Sequence, residues 1–572
     1  MKNVFSFLLI FVLTLLVNIT FYQFDFLLDL TEDKRYSISK ESKQILNNLD
    51  DVIYIKVYLD GSFPYEFKYL QDELFSLLTS FKTIANENFD FEFIDPNKSN
   101  NLIEKENLFK QLVNDGLQPT DIEFKSSSVR SSQIIFPGAI IYYKGRSRAV
   151  NFLKSQINKK PSENINLSVE NLEFEFISSI HRIHNNRKDK IAFLDGNGEL
   201  NASQVYDLTE SVYKDNNRLS YHYIVERFNL KEFQIDSLSK KADINQQIKK
   251  LSEYKVIIIA KPTVAFNMLD KYIIDQYAMN GGKIIWFIDG VNASMDSLQS
   301  KNSFIATRNN LNIDDMLFKY GLRINSDLIE DIRSTQIPII SGYSNNVPQQ
   351  TFFPWPYFPI ISSKSSHPIT IGLDALKCDF VSSIDTIQNS IKKTILLTSS
   401  KQSRFLPAPA KISLGILESP PPIKSYNKSY LPVSVLLEGS FESVFKNRII
   451  PLNQSLKFRT FSDTTKMIVI SDGDVLKNRV SKSGDVYPLG YDPFIKFTYT
   501  GNKKFLLNSI HYLCDDQVLT RLKPKNLSLR LLDIQKVNEY RSLIQILNIF
   551  LPIVFLTVFS VLFLYFKKKK YA

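Results

Sequence analysis

Two acidic turns are candidates for chemistry because each follows a run of apolar residues typical of a buried strand. The stretch KIAFLDGNGEL, residues 190–200, reaches Asp195 and then a glycine turn with Glu199, and the stretch GGKIIWFIDG, residues 281–290, reaches Asp289. Carboxyl groups at neighbouring strand ends form either the acid–base site of a hydrolase or a loop that holds a ligand or partner. The candidate residues are Asp195, Gly196, Asn197, Gly198, Glu199 and Asp289.

The sequence lacks the motifs that would identify these acidic turns as part of an enzyme active site. The Gly196-Asn197-Gly198 turn lacks the third glycine of a dinucleotide fingerprint, and no G-x-x-x-x-G-K-[ST] phosphate loop occurs. Neither cysteine follows a strand with a glycine elbow, and there is no G-x-S-x-G. The sequence therefore favours a scaffold without catalytic residues or cofactor, and the ligand or partner loop is the alternative.

Metal binding has two weak candidates. His181 and His184 are spaced i, i+3 on a predicted helix, but no further ligand is obviously set to complete a shell. The Asp472-Gly473-Asp474 turn resembles an acidic metal loop and has too few ligands for calcium, so it is interpreted as a hydrogen-bonded loop. We predict no metal site.

Residues 352–361, FFPWPYFPII, are rich in proline and aromatics. Trp355 and Tyr357 are the candidates for an exposed docking loop there. Packing of an irregular segment into a core is the more common explanation of such a pattern.

The composition bounds the function classes. Among 572 residues, 44% are hydrophobic and 23% charged, which excludes long disorder and predicts several folded units. The net charge of +11 comes without an arginine-rich helix or a basic-aromatic pattern, so no nucleic acid partner is expected. Cys378 and Cys514 are too few for a disulfide framework; they form one disulfide or are two separate buried thiols.

The segments that position these residues begin with a juxtamembrane segment, residues 23–50, and a first domain, residues 51–187. Its predicted order βαβαββα matches a thioredoxin-like fold, with a hairpin formed by residues 133–143 and 148–153. A redox domain of that kind carries Cys-x-x-Cys where this chain has GSFP, residues 61–64. The domain is therefore predicted to be a scaffold.

Residues 188–540 are predicted to form a second, Rossmann-like α/β domain with insertions. Continuous apolar strands near residues 190–195, 254–262 and 283–288 alternate with helices. This pattern indicates a doubly wound, mostly parallel sheet that is covered on both faces. Asp195 and Asp289 then lie at carboxyl ends of strands and could share one crevice.

Both ends of the chain are predicted to be transmembrane helices. Residues 4–22 carry no charge and no small-x-small cleavage site, so residues 1–22 are interpreted as an uncleaved anchor. Residues 544–566 form a second uncharged span, in which Pro552 is tolerated. The tail at residues 567–572 contains four consecutive lysines.

The lysine tail sets the predicted orientation, because basic residues flanking a span stay in the cytoplasm. Two spans return the N-terminus to the same side, so both termini are cytoplasmic and the folded domains lie outside. In a bacterium this describes an inner-membrane protein with a large periplasmic domain.

Several segments are specific when they are taken together and in order. They are LTEDKRYSIS, DQYAMNGGKIIWFID, LFKYGLRIN, FFPWPYFPI with HPIT, LLEGSFESVFKNR, VISDGDV, PLGYDP and GNKKFLLNSIHYL. Through them, nearly the whole chain resembles the gliding-motility-associated ABC transporter protein family of Bacteroidetes, its G component.

The resemblance implies a periplasm-facing auxiliary or substrate-binding subunit that acts with a separate ATPase, contacted indirectly, and a separate membrane permease. It supplies no catalytic residues and implies a sheet domain similar to a non-catalytic module of intraflagellar transport proteins. Two alternatives stay open: a membrane-anchored periplasmic hydrolase that uses Asp195, Glu199 and Asp289, and a structural anchor of a surface machine.

Overall fold

The structure, a computed structural model, describes most of the chain between the predicted spans and the C-terminal helix. The described residues are 37–61, 63–99, 101–125, 130–153, 161–184, 188–213, 217–233, 243–300, 302–344, 347–363, 367–371, 373–450, 458–515 and 540–571. The predicted anchor at residues 1–22 and residues 23–36 of the juxtamembrane segment lie outside them.

The chain forms two compact units. One is Tyr36–Lys525, and the other combines Met1–Arg35 with Asn526–Ala572. The larger unit contains two sheet regions, and the smaller one is described through its C-terminal helix.

The first region of the larger unit is built on a four-stranded sheet in the order β2-β1-β5-β6. Strand β1 runs parallel to β2 and antiparallel to β5, and β5 and β6 form a hairpin. A separate hairpin joins β3 and β4. The elements are α1 (Lys40–Asn47), β1 (Ile53–Val57), α2 (Tyr65–Ala85), β2 (Phe89–Phe93), α3 (Leu102–Asn114), β3 (Thr120–Lys125), β4 (Arg130–Ile135), β5 (Gly138–Tyr143), β6 (Arg146–Asn151) and α4 (Pro161–His184).

Sequence periodicity explains most of this region. Strand β1 alternates buried Ile53, Ile55 and Val57 with half-buried residues, and the buried leucines of α2 recur one turn apart. The predicted hairpin is corrected in one respect: Gln133 to Ile135 belong to β4, which pairs with β3 rather than with β6. The thioredoxin-like classification of residues 51–187 stays a prediction.

The second region follows at residue 188. Its strands are β7 (Lys190–Asp195), β8 (Ile224–Asn229), β9 (Val256–Ala260), β10 (Lys283–Phe287), β11 (Val291–Asn292), β12 (Ser303–Arg308), β13 (Leu322–Ile324), β14 (Asp327–Asp331), β15 (Ser334–Ser344), β16 (Val347–Ile361), β17 (Leu376–Lys377), β18 (Ile384–Thr386), β19 (Lys392–Thr398), β20 (Ser403–Pro407), β21 (Ala410–Ser413), β22 (Pro432–Glu442), β23 (Phe461–Ile470), β24 (Tyr491–Asp492) and β25 (Phe497–Thr498). Its helices are α5 (Tyr206–Thr209), α6 (Leu219–His222), α7 (Ile244–Leu251), α8 (Met268–Met279), α9 (Asp296–Ser300), α10 (Asp314–Tyr320) and α11 (Gly501–Leu513).

A seven-stranded sheet in the order β19-β22-β23-β10-β9-β7-β8 organises this region. The five strands from β23 to β8 are parallel, whereas β22 runs antiparallel to both β23 and β19. The sheet is thus mostly parallel, as predicted, and β22 and β19 add antiparallel pairing at one edge. The Rossmann-like, doubly wound classification stays a prediction.

The sheet is buried on both faces. Along β9, Ile257 and Ile259 pack into one core with α7 and α8, while Ile258 packs into the opposite core with α11. This double burial explains why β9 is apolar at every position from Val256 to Ala260.

The aromatic segment around Trp355 is a strand rather than an exposed loop. Trp355 and Tyr357 lie in β16 and are 0% and 2% exposed, with their ring centroids 5.1 Å apart. The predicted docking loop at these two residues is therefore wrong. Both side chains belong to a separate small core beneath the β15–β16 hairpin.

The described part of the smaller unit is one long helix, α12 (Arg541–Tyr571), with Pro552 inside it. Among the described residues, its segment Gln545–Lys569 is the one helix long and apolar enough to cross a membrane, and its side chains are exposed. The predicted second span is therefore compatible with the structure. The predicted first span lies outside the described residues.

Candidate functional site

The turn that follows β7 is fixed by contacts within the protein. Asp195 forms a two-point ion pair with Arg227 of β8, with Nε donating to Oδ2 at 2.7 Å. The same guanidinium donates to the carbonyl of Leu200 at 2.7 Å. Asp195 therefore ties the end of β7 to its neighbouring strand and to the far side of its own turn.

Asn197 and Glu199 hold the turn against the loop after β9. The Asn197 carbonyl accepts from the backbone N–H groups of Thr263 and Val264, both at 2.9 Å. Glu199 Oε2 accepts from the Asn197 N–H at 2.7 Å. Gly198 has a φ of +73°, and a Cβ there would meet Thr263 Oγ1 at 2.2 Å, so glycine is required for this close approach.

Two polar atoms in this turn lack a partner among the described residues. They are the buried Oδ1 of Asn197 and Oε1 of Glu199. Burial raises the pKa of Glu199, and the hydrogen bond from Asn197 only partly offsets this effect. The turn is thus tightly packed, and its burial disfavours the charged form of Glu199.

Asp289 lies in a different cluster from the one that the sequence predicts. Its Oδ2 is 2.9 Å from Nζ of Lys261, the residue after β9, and its Oδ1 accepts from the N–H of Gly473 at 2.6 Å. Lys261 also contacts Asp474 at 2.5 Å. Within the described residues, no hydrogen bond or ion pair joins Asp289 to Asp195 or Glu199, because β9 separates β7 from β10.

The electrostatics of this cluster keep Lys261 charged. Burial favours the neutral amine, but the neighbouring Asp289 and Asp474 outweigh it and raise the pKa of Lys261. Burial raises the pKa of Asp289. Burial also acts on Asp474, yet the Lys261 ammonium holds the pKa of Asp474 below its ordinary value. The cluster is a largely buried ion group in which one ammonium partly compensates two carboxylates.

A metal ion is the other cation that these carboxylates could hold. One oxygen from each of Asp289, Asp472 and Asp474 lies within 4.8 Å of the others. However, the Lys261 ammonium already contacts Asp289 and Asp474, and the Asp472 oxygens accept from the N–H groups of Asp379 and Asp474. These carboxylates therefore suit the internal lysine, and the hydrogen bonds of Asp472 agree with the interpretation of a hydrogen-bonded loop at Asp472 to Asp474. The absence of a metal site stays a prediction.

The open space at this edge of the sheet lies beside the predicted turns. A cleft of about 620 Å³ lies there, and its lining includes residues that follow β7 and residues that follow β23. Its polar lining includes Asn201, Gln204, Asp296, Asp379, Asp474, Lys477, Asn478, Arg479 and Tyr487.

The lining of the cleft combines charged groups of both signs with amide groups and an aromatic ring. It offers amides, two cations, three carboxylates and the ring of Tyr487, which is 37% exposed and stacks on Tyr491 with centroids 4.8 Å apart. Sequence reasoning missed these residues, although the run DVLKNR directly after a predicted strand end was a usable signal.

The remaining candidate residues from the sequence include His184 and the two cysteines, and their contacts are structural. His184 Nδ1 lies 3.1 Å from the Tyr143 hydroxyl, which also contacts Asp50. Cys378 and Cys514 are both buried free thiols, so the alternative of two separate thiols is the one observed.

Comparisons with known proteins add a family. Residues 188–509, more than half of the chain, match the family described as ABC-type uncharacterized transport system. Residues 32–142 match a domain of unknown function, DUF7088. An uncharacterized protein of Borreliella burgdorferi is 22% identical over 433 residues, which cover 74% of each chain.

One solved structure is also similar in part. It is that of the mmIFT52 N-terminal domain, at 12% identity and a TM-score of 0.31, and the match covers 57% of this chain and 97% of that one.

Proposed function

Because the chain belongs to the ABC-type uncharacterized transport system family, we propose that it is a non-catalytic auxiliary or substrate-binding subunit of an ABC transporter. In this proposal it acts with a separate ATPase and a separate membrane permease. The family match over residues 188–509 is the observation that carries the proposal.

The proposed location follows from the chain ends. Helix α12 is the apolar span among the described residues, and four lysines follow its apolar stretch. Together with the predicted anchor at residues 1–22, it would leave both termini in the cytoplasm and the domains in the periplasm of the bacterial inner membrane.

The absence of catalysis is proposed from the contacts of the three candidate carboxylates. Asp195 is paired with Arg227 and Asp289 with Lys261. Glu199 is held through Oε2 by the N–H of Asn197, and its Oε1 is buried. A hydrolytic acid–base pair needs carboxyl groups that reach a substrate and a water. The open cleft beside them is the proposed place for a ligand or a partner segment.

The transporter role requires a route for energy, because hardly any of the chain would face a cytoplasmic ATPase. We propose that movement of the permease tilts the membrane anchors and shifts the periplasmic domains. That shift would capture, gate or hand over the substrate. The association with gliding motility and with Bacteroidetes is the most specific part of the proposal. It rests on the resemblance of the sequence segments to the gliding-motility-associated family.

Co-purification in mild detergent from the native host tests the proposal. The tagged full-length chain is expected to bring down one ATPase and one permease, identified by mass spectrometry. A variant that ends before Tyr540 lacks α12 and is expected to lose both while its larger unit stays folded. Recovery of the full-length chain without either subunit would refute the transporter role.

A second experiment tests the coupling. Deletion of residues 37–515 in the native host is expected to abolish transport while the permease and ATPase are still made. Full transport activity in that strain would show that the periplasmic domains are dispensable.

A further inference from the structure

A second large groove lies away from the cleft described above. Its volume is about 820 Å³, and its wall is formed by the end of β12, helix α10, strand β13 and the segment that follows β22. Five cations line it, namely Arg308, Lys319, Arg323, Lys446 and Arg448.

The cations of the groove outnumber the carboxylates that contact them. Lys319 and Lys446 share one carboxylate, Glu442, each at 2.7 Å. Arg448 likewise shares Asp315 with Lys271, which is buried and does not itself line the groove. Three lining cations and the buried Lys271 therefore stand against two carboxylates, which leaves a surplus of two positive charges on this side of the groove.

The other two cations of the groove are paired one to one. Arg308 contacts Asp314 and Arg323 contacts Asp385, each at 2.6 Å, and all four side chains are about half exposed or more. Exposed pairs of this kind contribute about 0–1 kcal/mol, so their guanidinium groups can turn to another anion at little cost. The surplus of positive charge and the two exposed ion pairs together make the groove an anion-attracting surface.

An apolar surface adjoins these charges. Phe318 of α10 lines the groove and is 55% exposed, although its neighbours Met316 and Leu317 are buried. A groove of this size matches the range of about 300–1,000 Å³ that is usual for small ligands. Asn325 and Asn447 add amide groups to the wall.

We propose that this groove binds a small organic dianion, either a phosphate monoester or a dicarboxylate, whose apolar part packs against Phe318. The two charges of such a ligand match the surplus left at Glu442 and Asp315. Arginine forks bind phosphate and carboxylate oxygens in pairs, which favours these groups over chloride. The proposal is independent of the transporter role.

Calorimetric titration of the full-length chain in detergent, at constant ionic strength, tests it. The probes are phenyl phosphate, benzylsuccinate and neutral benzyl alcohol. Saturable binding of at least one dianion and none of the alcohol is expected, and the tighter dianion identifies the preferred group. Lys446→Gln and Arg448→Gln are each expected to weaken binding about tenfold, the equivalent of one charge-assisted hydrogen bond.

Two further variants sharpen the readout. Phe318→Ala is expected to weaken phenyl phosphate but not inorganic phosphate. Lys82→Gln is the control, because Lys82 is an exposed, ion-paired cation on α2 that does not line the groove. Far-ultraviolet circular dichroism verifies that each variant is folded.

Two results would overturn the proposal. One is the absence of saturable binding by both dianions. The other is a loss of affinity in Lys82→Gln equal to that in Lys446→Gln and Arg448→Gln, which would mean that only the net charge of the protein matters.

Discussion

The Arg148 guanidinium lies 3.8 Å from the centre of the Tyr221 ring and donates from Nε to the Tyr221 hydroxyl at 2.8 Å. Arg148 belongs to β6 of the first region, and Tyr221 belongs to α6 of the second. Ser179 of α4 bonds the same hydroxyl at 2.5 Å. One buried tyrosine therefore joins the two sheet regions.

Substitution Arg148→Gln is expected to weaken this junction. It removes the cation–π contact and the hydrogen bond to the Tyr221 hydroxyl, which together contribute about 2–3 kcal/mol. Differential scanning calorimetry should show a lower transition temperature and a broadened or split transition, since the regions lose part of their coupling.

Arg146→Gln on the same strand is the matched control. Its guanidinium lies 6.0 Å from the Tyr143 ring, at the limit of such contacts, so little change is expected. Equal losses in both variants would contradict the role assigned to Tyr221.

Lys261→Met is expected to be strongly destabilising, because it leaves Asp289 and Asp474 buried without their cation. Breaking a buried pair in this way costs about 3–5 kcal/mol. The loss should shrink as the pH falls, since protonation neutralises both carboxyl groups. Chemical denaturation between pH 4 and 8 measures it.

Two further variants complete this test. Lys261→Met combined with Asp289→Asn and Asp474→Asn is expected to regain part of the stability. Lys255→Met, which breaks the more exposed pair with Asp189, should cost less than about 1 kcal/mol. A single Lys261→Met variant as stable as the parent would show that the cluster is not a compensated ion group.

Local sequence patterns predicted three adjacent parallel strands of the second region, but they did not give the order of the strands. The apolar runs that become β7, β9 and β10 are evident because both faces of a parallel sheet are buried. That β9 would lie between β7 and β10 is not encoded in any one segment. The partner of Asp289 was therefore unpredictable, because Lys261 and Asp474 follow β9 and β23, the strands on either side of β10.

The error at Trp355 has a different cause. Pro354 and Pro356 argue against a strand, because proline donates no hydrogen bond to a ladder. In the structure, β16 pairs with β15 on one side, and β17 reaches only Ile360 and Ile361 on the other. The prolines are tolerated on this open edge, while Trp355 points into the core beneath it.

Glu199→Gln is expected to raise the stability at neutral pH. Burial holds the folded-state pKa of Glu199 above its ordinary value of 4.5, so the folded protein binds this proton more tightly than the unfolded chain. The cost of the buried charge is complete above the folded pKa and absent below 4.5. The gain over the parent should therefore be largest near pH 7 and vanish towards pH 4 in thermal melts, and a lower stability at pH 7 would contradict the prediction.

Both cysteines are expected to be inert in the native state. Burial raises the pKa of the Cys514 thiol to about 12 and that of Cys378 well above its ordinary value, so neither forms thiolate at pH 8. A thiol reagent should label no cysteine in the folded protein and two in urea without reductant. The exposed Ser76→Cys variant provides a reactive control, and no labelling in urea would indicate a disulfide instead.

Gly198→Ala tests whether the turn after β7 needs its tight packing. Gly198 and Gly145 have nearly the same φ, +73° and +72°, so an alanine at either position bears a similar backbone cost of about 1–2 kcal/mol. A Cβ at Gly145 meets nothing within 4 Å, whereas a Cβ at Gly198 would lie 2.2 Å from Thr263 Oγ1. Urea denaturation should therefore show a clearly larger loss for Gly198→Ala. Gly198→Ala combined with Thr263→Ala should recover the difference, because it removes the clashing oxygen, and equal losses in the two single variants would mean that this turn is looser than its contacts indicate.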